Sequence, residues 1–238
     1  MRLHLHDDLM ISKKTGPTDL VTQMDQQVQN DLVEKITHRY PEDRIFAEED
    51  GLRSPISEGS VWVIDPIDGT NNFVTQKEDF AVMVAYFEDG IGQFGLIYDV
   101  MRDYLFYGGG EFPVYRNEVE LTLFVDQPLE NFLIASNVGM LEKNDWGMAD
   151  LGMDSLGIRV YGSAGISFSK ILSGGILAYF SYIWPWDYAA AAIMGERLGY
   201  TVLNLNGDKP NYQTVEPIMM VPKVKLTEIQ TYLKKGRS

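Results

Sequence analysis

The chain has 238 residues, 45% of them hydrophobic and 23% charged, which is typical of a globular protein with one large domain or two modest ones. Its formal net charge of −14 disfavours nonspecific binding to nucleic acid or to an anionic membrane, whereas clustered acids favour divalent cations. The sequence contains no cysteine, which excludes disulfides, zinc–thiolate sites and a cysteine nucleophile.

The sequence shows no targeting or membrane-spanning signal. Residues 1–8 (MRLHLHDD) lack the apolar core of a signal peptide. The most apolar long stretch, residues 176–195, is interrupted by Pro185 and Asp187, which argues against a membrane span. These observations predict a cytoplasmic protein without nucleic-acid or membrane partners.

Residues 20–40 predict a helix that ends before Pro41. Its apolar side chains recur at steps of three and four and so form a single stripe: Val21, Met24, Val28, Leu32 and Ile36. Asp25 lies on this same stripe, where a carboxylate is costly unless it is paired or bound to a cation. Asp25 is therefore either a buried aspartate that hydrogen-bonds nearby backbone or part of a functional site.

The remaining pattern predicts an antiparallel sheet in the first half and an α/β arrangement in the second. In the first half we expect strands at 61–64, at 80–87 and 91–98 around a turn at 88–90, and at 104–107 and 114–115 around Gly108-Gly109-Gly110. In the second half we expect strands at 131–136 and 177–183, and helices at 163–173, at 187–198 and in the tail 221–238, with Leu226, Ile229 and Leu233 on its apolar face. Residues 1–125 and 126–238 should form two halves of one compact unit.

Residues 61–73 read VWVIDPIDGTNNF, so that two carboxylates, Asp65 and Asp68, leave the end of an apolar strand. Pro66 forces the backbone to turn, and both side chains and the Ile67 carbonyl can then point to one side. Carboxylates, a carbonyl and water form the ligand set of Mg²⁺ or Ca²⁺. The glycine and threonine that follow are typical of a helix start, whose free N–H groups suit an anion. The alternative is a tight turn in which Asp68 caps the helix.

Two further acidic stretches can also be interpreted in two ways. FAEEDG at 46–51 places three acids before a glycine, which is either an exposed loop or a source of ligands. WPWDYAA at 184–190 opens an alanine-rich helix with Asp187, which is either an N-cap or a ligand that the tryptophans shield from water. Together with the two stretches above, they place acids at element ends or on a buried face in four separate parts of the chain.

The chain resembles the inositol monophosphatase family of Mg²⁺-dependent, lithium-sensitive phosphatases, which are related to fructose-1,6-bisphosphatase. The resemblance rests on WVIDPIDGTNNF at 62–73 and PWDYAAA at 185–191, with support from FAEED at 46–50 and the spaced pattern KxxxxDLVTxxD at 14–25. It implies an α+β / α/β fold, a layered αβαβα sandwich of the sugar phosphatase type, in a bacterial member of the family. It also implies a homodimer.

The resemblance implies that two or three Mg²⁺ ions are bound, with Mn²⁺ or Ca²⁺ able to substitute in binding. The implied metal ligands are Glu48, Asp65, the Ile67 carbonyl, Asp68 and Asp187. Glu48 would be shared between the first and third ions, and Asp65 between the first and second. Asp68 and Asp187 would hold the second ion together with Asp65.

The resemblance also implies a set of catalytic and substrate-binding residues. The catalytic residues would be Glu48 and Asp65, with Asp25 and Thr70 orienting a water that attacks phosphorus in line without a phosphoenzyme. The N–H groups of Gly69 and Thr70 would hold the phosphate. The substrate-binding residues would be Asp68, Gly69, Thr70, Gly162, Ser163, Ala164 and Asp187, of which 162–164 would contact the alcohol.

The expected function is Mg²⁺-dependent hydrolysis of a small phosphorylated alcohol or sugar, with inositol-1-phosphate as the default substrate. Animal members of the family present a ring-contacting glutamate before the W-D pair, whereas Tyr179-Phe180-Ser181-Tyr182 contains no acid here. The alternative substrates are therefore fructose-1,6-bisphosphate, adenosine 3′,5′-bisphosphate and NADP. A further alternative is a regulatory protein-binding role with weak residual phosphatase activity. The family also begins with a longer N-terminal helix, of which residues 1–12 would be the remainder.

Overall fold

The computed structural model describes residues 11–13 and 20–235. The strands are β1 (Ile11–Lys13), β2 (Leu20–Thr22), β3 (Arg44–Ala47), β4 (Ser60–Asp68), β5 (Ala81–Glu88), β6 (Ile91–Asp99), β7 (Tyr104–Gly109), β8 (Phe112–Arg116), β9 (Val119–Glu120), β10 (Leu133–Ser136), β11 (Gly157–Arg159), β12 (Tyr179–Ile183), β13 (Tyr200–Asn204) and β14 (Glu216–Pro222). The helices are α1 (Gln23–Arg39), α2 (Thr70–Thr75), α3 (Val138–Glu142), α4 (Met148–Asp154), α5 (Ala164–Leu172), α6 (Pro185–Arg197) and α7 (Leu226–Lys235).

The strands form a seven-stranded sheet in the order β3-β4-β5-β6-β7-β8-β9, a five-stranded sheet in the order β11-β10-β12-β14-β13, and the pair β1-β2. In the larger sheet, β3 is parallel to β4 and every other pairing is antiparallel. In the smaller sheet, β10, β11 and β12 are parallel, so their carboxyl ends lie at one edge. In open sheets of this kind, ligands bind beside the carboxyl ends of parallel strands.

Three helical layers enclose the two large sheets. Helices α1 and α2 cover one face of the seven-stranded sheet, where Met24 and Phe73 pack with Ile67 and Phe80. Helices α5 and α6 share one hydrophobic cluster with strands of both sheets and so lie between them. Helices α3, α4 and α7 pack on the outer face of the five-stranded sheet. This αβαβα order confirms the predicted fold class.

Small residues bring α6 close to the seven-stranded sheet. A Cβ atom placed on Gly95 of β6 would lie 2.4 Å from the carbonyl oxygen of Ala190, so a larger residue there would push the helix away. Ala189 and Ala191 are fully buried beside it. This close approach determines how far the first turn of α6, with Asp187, lies from β4.

The predicted hairpin at 80–98 is confirmed as β5 and β6, but several predicted boundaries are wrong. The first helix starts at Gln23 and not at residue 20, because Leu20–Thr22 pairs with β1. Strand β4 continues to Asp68, since its pairing with β5 resumes there. Gly108 and Gly109 belong to β7, and residues 221 and 222 complete β14 before the last helix starts at Leu226.

One expectation falls on residues outside the described ranges, and another concerns the boundary between the two halves of the chain. The helical remnant expected in residues 1–12 lies outside the described residues, apart from Ile11 and Ser12, which are in β1. The described strands of the seven-stranded sheet end at residue 120, and those of the five-stranded sheet start at residue 133. The division at residues 125 and 126 stays a prediction. No helix in the described part of the chain has both the length and the apolar content needed to cross a bilayer.

Candidate active site

The end of β4 brings Asp65 and Asp68 to the same side of the strand. Asp65 lies opposite Met83 and Asp68 lies opposite Ala81, so three steps along β4 match two steps along β5. In a regular strand, residues three apart point to opposite faces. The extra residue forms a bulge, which re-aims one side chain and lets the two carboxylates meet.

Asp187 joins them from the first turn of α6. The helix begins at Pro185, so Asp187 lies inside the first turn and is not the N-cap itself. Its Oδ2 accepts a hydrogen bond of 2.7 Å from the Trp184 N–H, which holds the side chain against the helix start. Carboxylate oxygens of Asp65, Asp68 and Asp187 all lie within 4.8 Å of one another.

Asp65 and Asp68 are buried and Asp187 is half-buried, and every charge of the described residues that shifts the pKa of Asp65 or Asp187 is negative. Burial, followed by the charges of Glu48, Asp68 and Asp187, raises the pKa of Asp65 well above its usual range. The pKa of Asp187 is also raised well above its usual range, chiefly by burial and then by Asp68 and Glu48. The Oδ1 of Asp65 is buried and accepts no hydrogen bond from any residue that the structure describes. Buried carboxylate oxygens in proteins nearly always accept a hydrogen bond or bind an ion, so an oxygen without a hydrogen bond indicates a bound group.

The start of α5 holds Asp68. Its carboxylate accepts a hydrogen bond from the Ser163 hydroxyl, one of 3.0 Å from Ala164 N–H and one of 2.7 Å from Gly165 N–H. Burial raises the pKa of Asp68, although these three hydrogen bonds oppose the rise. Ser163 and Ala164, which were expected to contact the alcohol, therefore orient a carboxylate. Their contact with substrate stays a prediction.

Asp25 and Thr70 form a pair beside the cluster. The Thr70 hydroxyl lies 3.1 Å from Asp25 Oδ1 and 3.1 Å from the Ile67 carbonyl oxygen. Asp25 is fully buried on the apolar side of α1, so a side-chain partner from 45 residues away accounts for its position there. Gly69 precedes Thr70 with a φ of +87°, and a Cβ atom on it would lie 2.9 Å from the Cβ of Ser163.

Glu48 follows β3 and extends its pairing with β4, because its N–H donates to the Ile64 carbonyl oxygen at 3.1 Å. Its charge contributes to the raised pKa values of Asp65 and Asp187, which places it near the cluster. The stretch after it is not simply an exposed loop, since Glu49 is buried. Gly162, the remaining predicted residue, lies against Asn72, whose Oδ1 would be 3.0 Å from a Cβ on it.

Three residues at the site were not predicted from the sequence: Gln29, Arg53 and Asn72. Gln29 accepts a hydrogen bond of 2.9 Å from Glu49 N–H, and its place four residues after Asp25 on one helix is the signal that could have identified it. Asn72 donates to the carbonyl oxygens of Asp79 and Tyr161, at 2.9 and 2.7 Å, and it lies within the quoted motif. Arg53 has no signal in its neighbouring sequence.

The donor set fits a hard divalent cation. All the available ligands are oxygens, from three clustered carboxylates, the nearby Glu48 and the Ile67 carbonyl, which is the set that Mg²⁺ and Ca²⁺ prefer. A cation bound among them would give Asp65 Oδ1 a partner and offset both the burial and the repulsion that raise the pKa of Asp65.

The sequence model of the inositol monophosphatase family matches residues 1–235. The chain belongs to the inositol monophosphatase family. It is therefore a phosphoric monoester hydrolase of a Mg²⁺-dependent family, which agrees with the all-oxygen carboxylate cluster.

Individual members of the inositol monophosphatase family give the same result. The chain is 36% identical over 210 residues to the inositol-1-monophosphatase of Bacillus subtilis (strain 168), covering 86% of this chain and 79% of that protein. It superposes on an IMPase/NADP phosphatase complexed with Mg²⁺ and phosphate with a TM-score of 0.89 at 25% identity, covering 97% and 88% of the two chains. It superposes on the 2′-AMP-bound inositol monophosphatase II of Staphylococcus aureus with a TM-score of 0.83 at 30% identity, covering 89% and 83%.

Proposed function

We propose that this phosphatase acts on a small phosphorylated alcohol, with inositol-1-phosphate as the default substrate. The single observation that carries the proposal is the Asp65–Asp68–Asp187 cluster, whose buried Asp65 Oδ1 accepts no hydrogen bond from the described residues. The similarity to the inositol-1-monophosphatase of Bacillus subtilis supports the choice of substrate.

We propose that Glu48, Asp65, the Ile67 carbonyl, Asp68 and Asp187 hold two or three Mg²⁺ ions. When bound, Mg²⁺ would acidify water and offset the charge that develops on the phosphoryl oxygens. The chain's own contribution is to hold the ligands in place. The bulge in β4 aims Asp65 and Asp68, the start of α5 fixes Asp68, and the Trp184 N–H fixes Asp187.

Asp25 and Thr70 would position the attacking water. The Thr70 hydroxyl can donate its one proton to Asp25 or to the Ile67 carbonyl, both at 3.1 Å, which leaves its oxygen free to accept a hydrogen bond from water. The N–H groups of Gly69 and Thr70 would hold the phosphate at the start of α2. Since the reaction needs little covalent help from the protein, alignment of water and phosphate accounts for most of the chain's contribution.

A second candidate substrate class is a nucleotide, such as adenosine 3′,5′-bisphosphate or NADP. Apolar side chains at the carboxyl ends of β11 and β12 remain unusually exposed: Val160 by 53%, Tyr182 by 45% and Trp184 by 38%. One face of the Trp184 ring stacks on Trp186 with centroids 4.8 Å apart. Stacking of a nucleobase on such a ring contributes about 1–3 kcal/mol, whereas an inositol ring offers no aromatic face.

Phosphate release from inositol-1-phosphate, fructose-1,6-bisphosphate, adenosine 3′,5′-bisphosphate and NADP, measured side by side, ranks these candidates. If the nucleotide candidate holds, Trp184→Ala should raise KM for nucleotides at least about fivefold and leave KM for inositol-1-phosphate within about twofold, because only the base stacks. Trp184→Phe, which keeps an aromatic face, is the control. Equal changes in KM for both substrate classes would remove the nucleotide candidate. Inhibition by Li⁺ in the same assay is expected from the family.

We also propose a homodimer and a cytoplasmic location. Exposed apolar side chains on the outer strands of the seven-stranded sheet support an interface with a second copy: Tyr104, Tyr107, Phe112 and Val119. Light scattering after size exclusion should give the mass of two chains, and the mass of one chain would contradict the dimer. Cell fractionation tests the location.

A further inference from the structure

Arg53 contacts the backbone of the acidic loop, which we define as residues 48–51. Its guanidinium donates to the Ala47 carbonyl oxygen, to the Leu52 carbonyl oxygen at 3.0 Å, and to the Glu48 carbonyl oxygen at 3.3 Å. Ala47 precedes the acidic loop, Glu48 is its first residue, and Leu52 follows it. The single side chain therefore fixes both ends of the loop that carries Glu48.

The same guanidinium lies over the ring of Trp186, with its central carbon 4.6 Å from the ring centroid. Trp186 is buried and immediately precedes Asp187 in α6. Its ring also stacks on Trp184 at an interplanar angle of 9°. Trp186 therefore contacts both Arg53 and Trp184.

Arg53 thus joins the two segments that supply Glu48 and Asp187. Glu48 comes from the end of β3, and Asp187 comes from a helix about 140 residues further along the chain. Asp187 belongs to the carboxylate cluster, and Glu48 extends the pairing of β3 with β4, the strand that carries Asp65 and Asp68. Two like charges repel each other, and a rigid connection between their segments limits how far they separate.

A second anchor holds the other side of the acidic loop. Gln29 of α1 is only 1% exposed, and it accepts a hydrogen bond of 2.9 Å from Glu49 N–H. Asp50 adopts a φ of +59°, a left-handed conformation that aspartate tolerates better than most residues but that still needs support from its surroundings. The loop is therefore held in one conformation by Gln29 on one side and Arg53 on the other.

We propose that Arg53 is a positioning residue that sets Glu48 relative to Asp187 and so determines how tightly the ions bind. This inference rests on the proposed metal ligands. Arginine suits the role because its planar guanidinium presents several donors in one plane and stacks on an indole face. A lysine ammonium in its place would keep the charge, but it could not serve three carbonyls while lying flat on Trp186.

The test compares Arg53→Ala and Arg53→Lys with a matched control, Arg44→Ala. Arg44 lies on the same stretch of chain and reaches Glu58 only at 4.0 Å on the surface, so its removal costs one charge without touching the acidic loop. Binding of Mg²⁺ alone to metal-free protein is measured by isothermal titration calorimetry. The Mg²⁺ concentration that gives half-maximal phosphate release and the thermal midpoint without metal are measured in parallel.

Both Arg53 variants should bind Mg²⁺ at least about tenfold more weakly, because loss of a group that orients a ligand typically costs that much. Their half-saturating Mg²⁺ concentration should rise by the same factor, and excess Mg²⁺ should largely restore kcat. Arg44→Ala should match the wild type. Wild-type affinity for Mg²⁺ in both Arg53 variants would overturn the proposal. Wild-type affinity in Arg53→Lys alone would also overturn it, because a positive charge without the guanidinium geometry would then be enough to hold the ligands in place.

Asp65→Asn separates this proposal from the proposed function. If Asp65→Asn loses Mg²⁺ binding while the Arg53 variants retain it, the metal site stands and only the role of Arg53 fails. If Asp65→Asn binds Mg²⁺ as tightly as the wild type, the assigned ligands are wrong, and both proposals fail together.

Discussion

Gly69 allows backbone strain to be separated from close packing at the site. Its φ of +87° lies in the left-handed region, where a side chain costs about 1–2 kcal/mol. A Cβ there would also lie 2.9 Å from the Cβ of Ser163, the residue that donates to Asp68. Gly174 has a φ of +73°, and no atom of the described residues lies within 4 Å of an added Cβ. Gly174→Ala therefore introduces the strain without the clash.

We expect Gly174→Ala to lower the free energy of unfolding by about 1–2 kcal/mol and to leave phosphate release unchanged. Gly69→Ala should lose that amount and at least about 1 kcal/mol more, because Ser163 has to move. The displaced Asp68 should also lower kcat/KM at least about tenfold. Urea unfolding followed by circular dichroism measures the stability, and phosphate release measures the activity. Equal losses of stability with full activity in Gly69→Ala would refute this reasoning.

Two further predictions concern the hydroxyl beside the cluster and the buried charges. Thr70→Val should lower kcat at least about tenfold, because its hydroxyl contact with Asp25 is lost, whereas Thr70→Ser should stay within about threefold of the wild type. Steady-state kinetics compares them, and equal losses would contradict a role for the hydroxyl. In metal-free protein, the raised pKa values of Asp65 and Asp187 mean that the folded state holds protons more tightly than the unfolded state. Its stability should therefore fall as pH rises from the ordinary aspartate pKa through the raised folded values. Mg²⁺ should then raise the thermal midpoint more at mildly alkaline than at mildly acidic pH, and an equal rise at both would contradict the assignment of buried, unbalanced carboxylates.

The sequence was sufficient for features that depend on local pattern. The hairpin of β5 and β6 follows from two apolar runs around a short turn, and α1 follows from apolar residues at steps of three and four. Asp65, Asp68 and Asp187 could be grouped because a family pattern names them, and the structure brings their oxygens within 4.8 Å.

Features that depend on distant pairing could not be predicted in this way. Val21 belongs to the apolar stripe predicted for the helix, yet Leu20–Thr22 is a strand, because pairing with β1 overrides local propensity. The bulge that re-aims Asp65 and Asp68 depends on the register with β5, which the sequence of β4 alone does not contain. Ser163 reaches Asp68 across 95 positions of the sequence, and Arg53 reaches Trp186 across an even longer stretch of chain.

The central claim is that a metal bound at Asp65 drives phosphate-ester hydrolysis. The most direct measurement is phosphate release from inositol-1-phosphate with Mg²⁺, for the wild type and for Asp65→Asn, each with and without excess EDTA. We expect Asp65→Asn to be at least about 10²-fold slower, because it removes a charged ligand from the reacting centre, and we expect EDTA to abolish wild-type activity. Equal rates for the two proteins, or wild-type activity that survives EDTA, would contradict the claim.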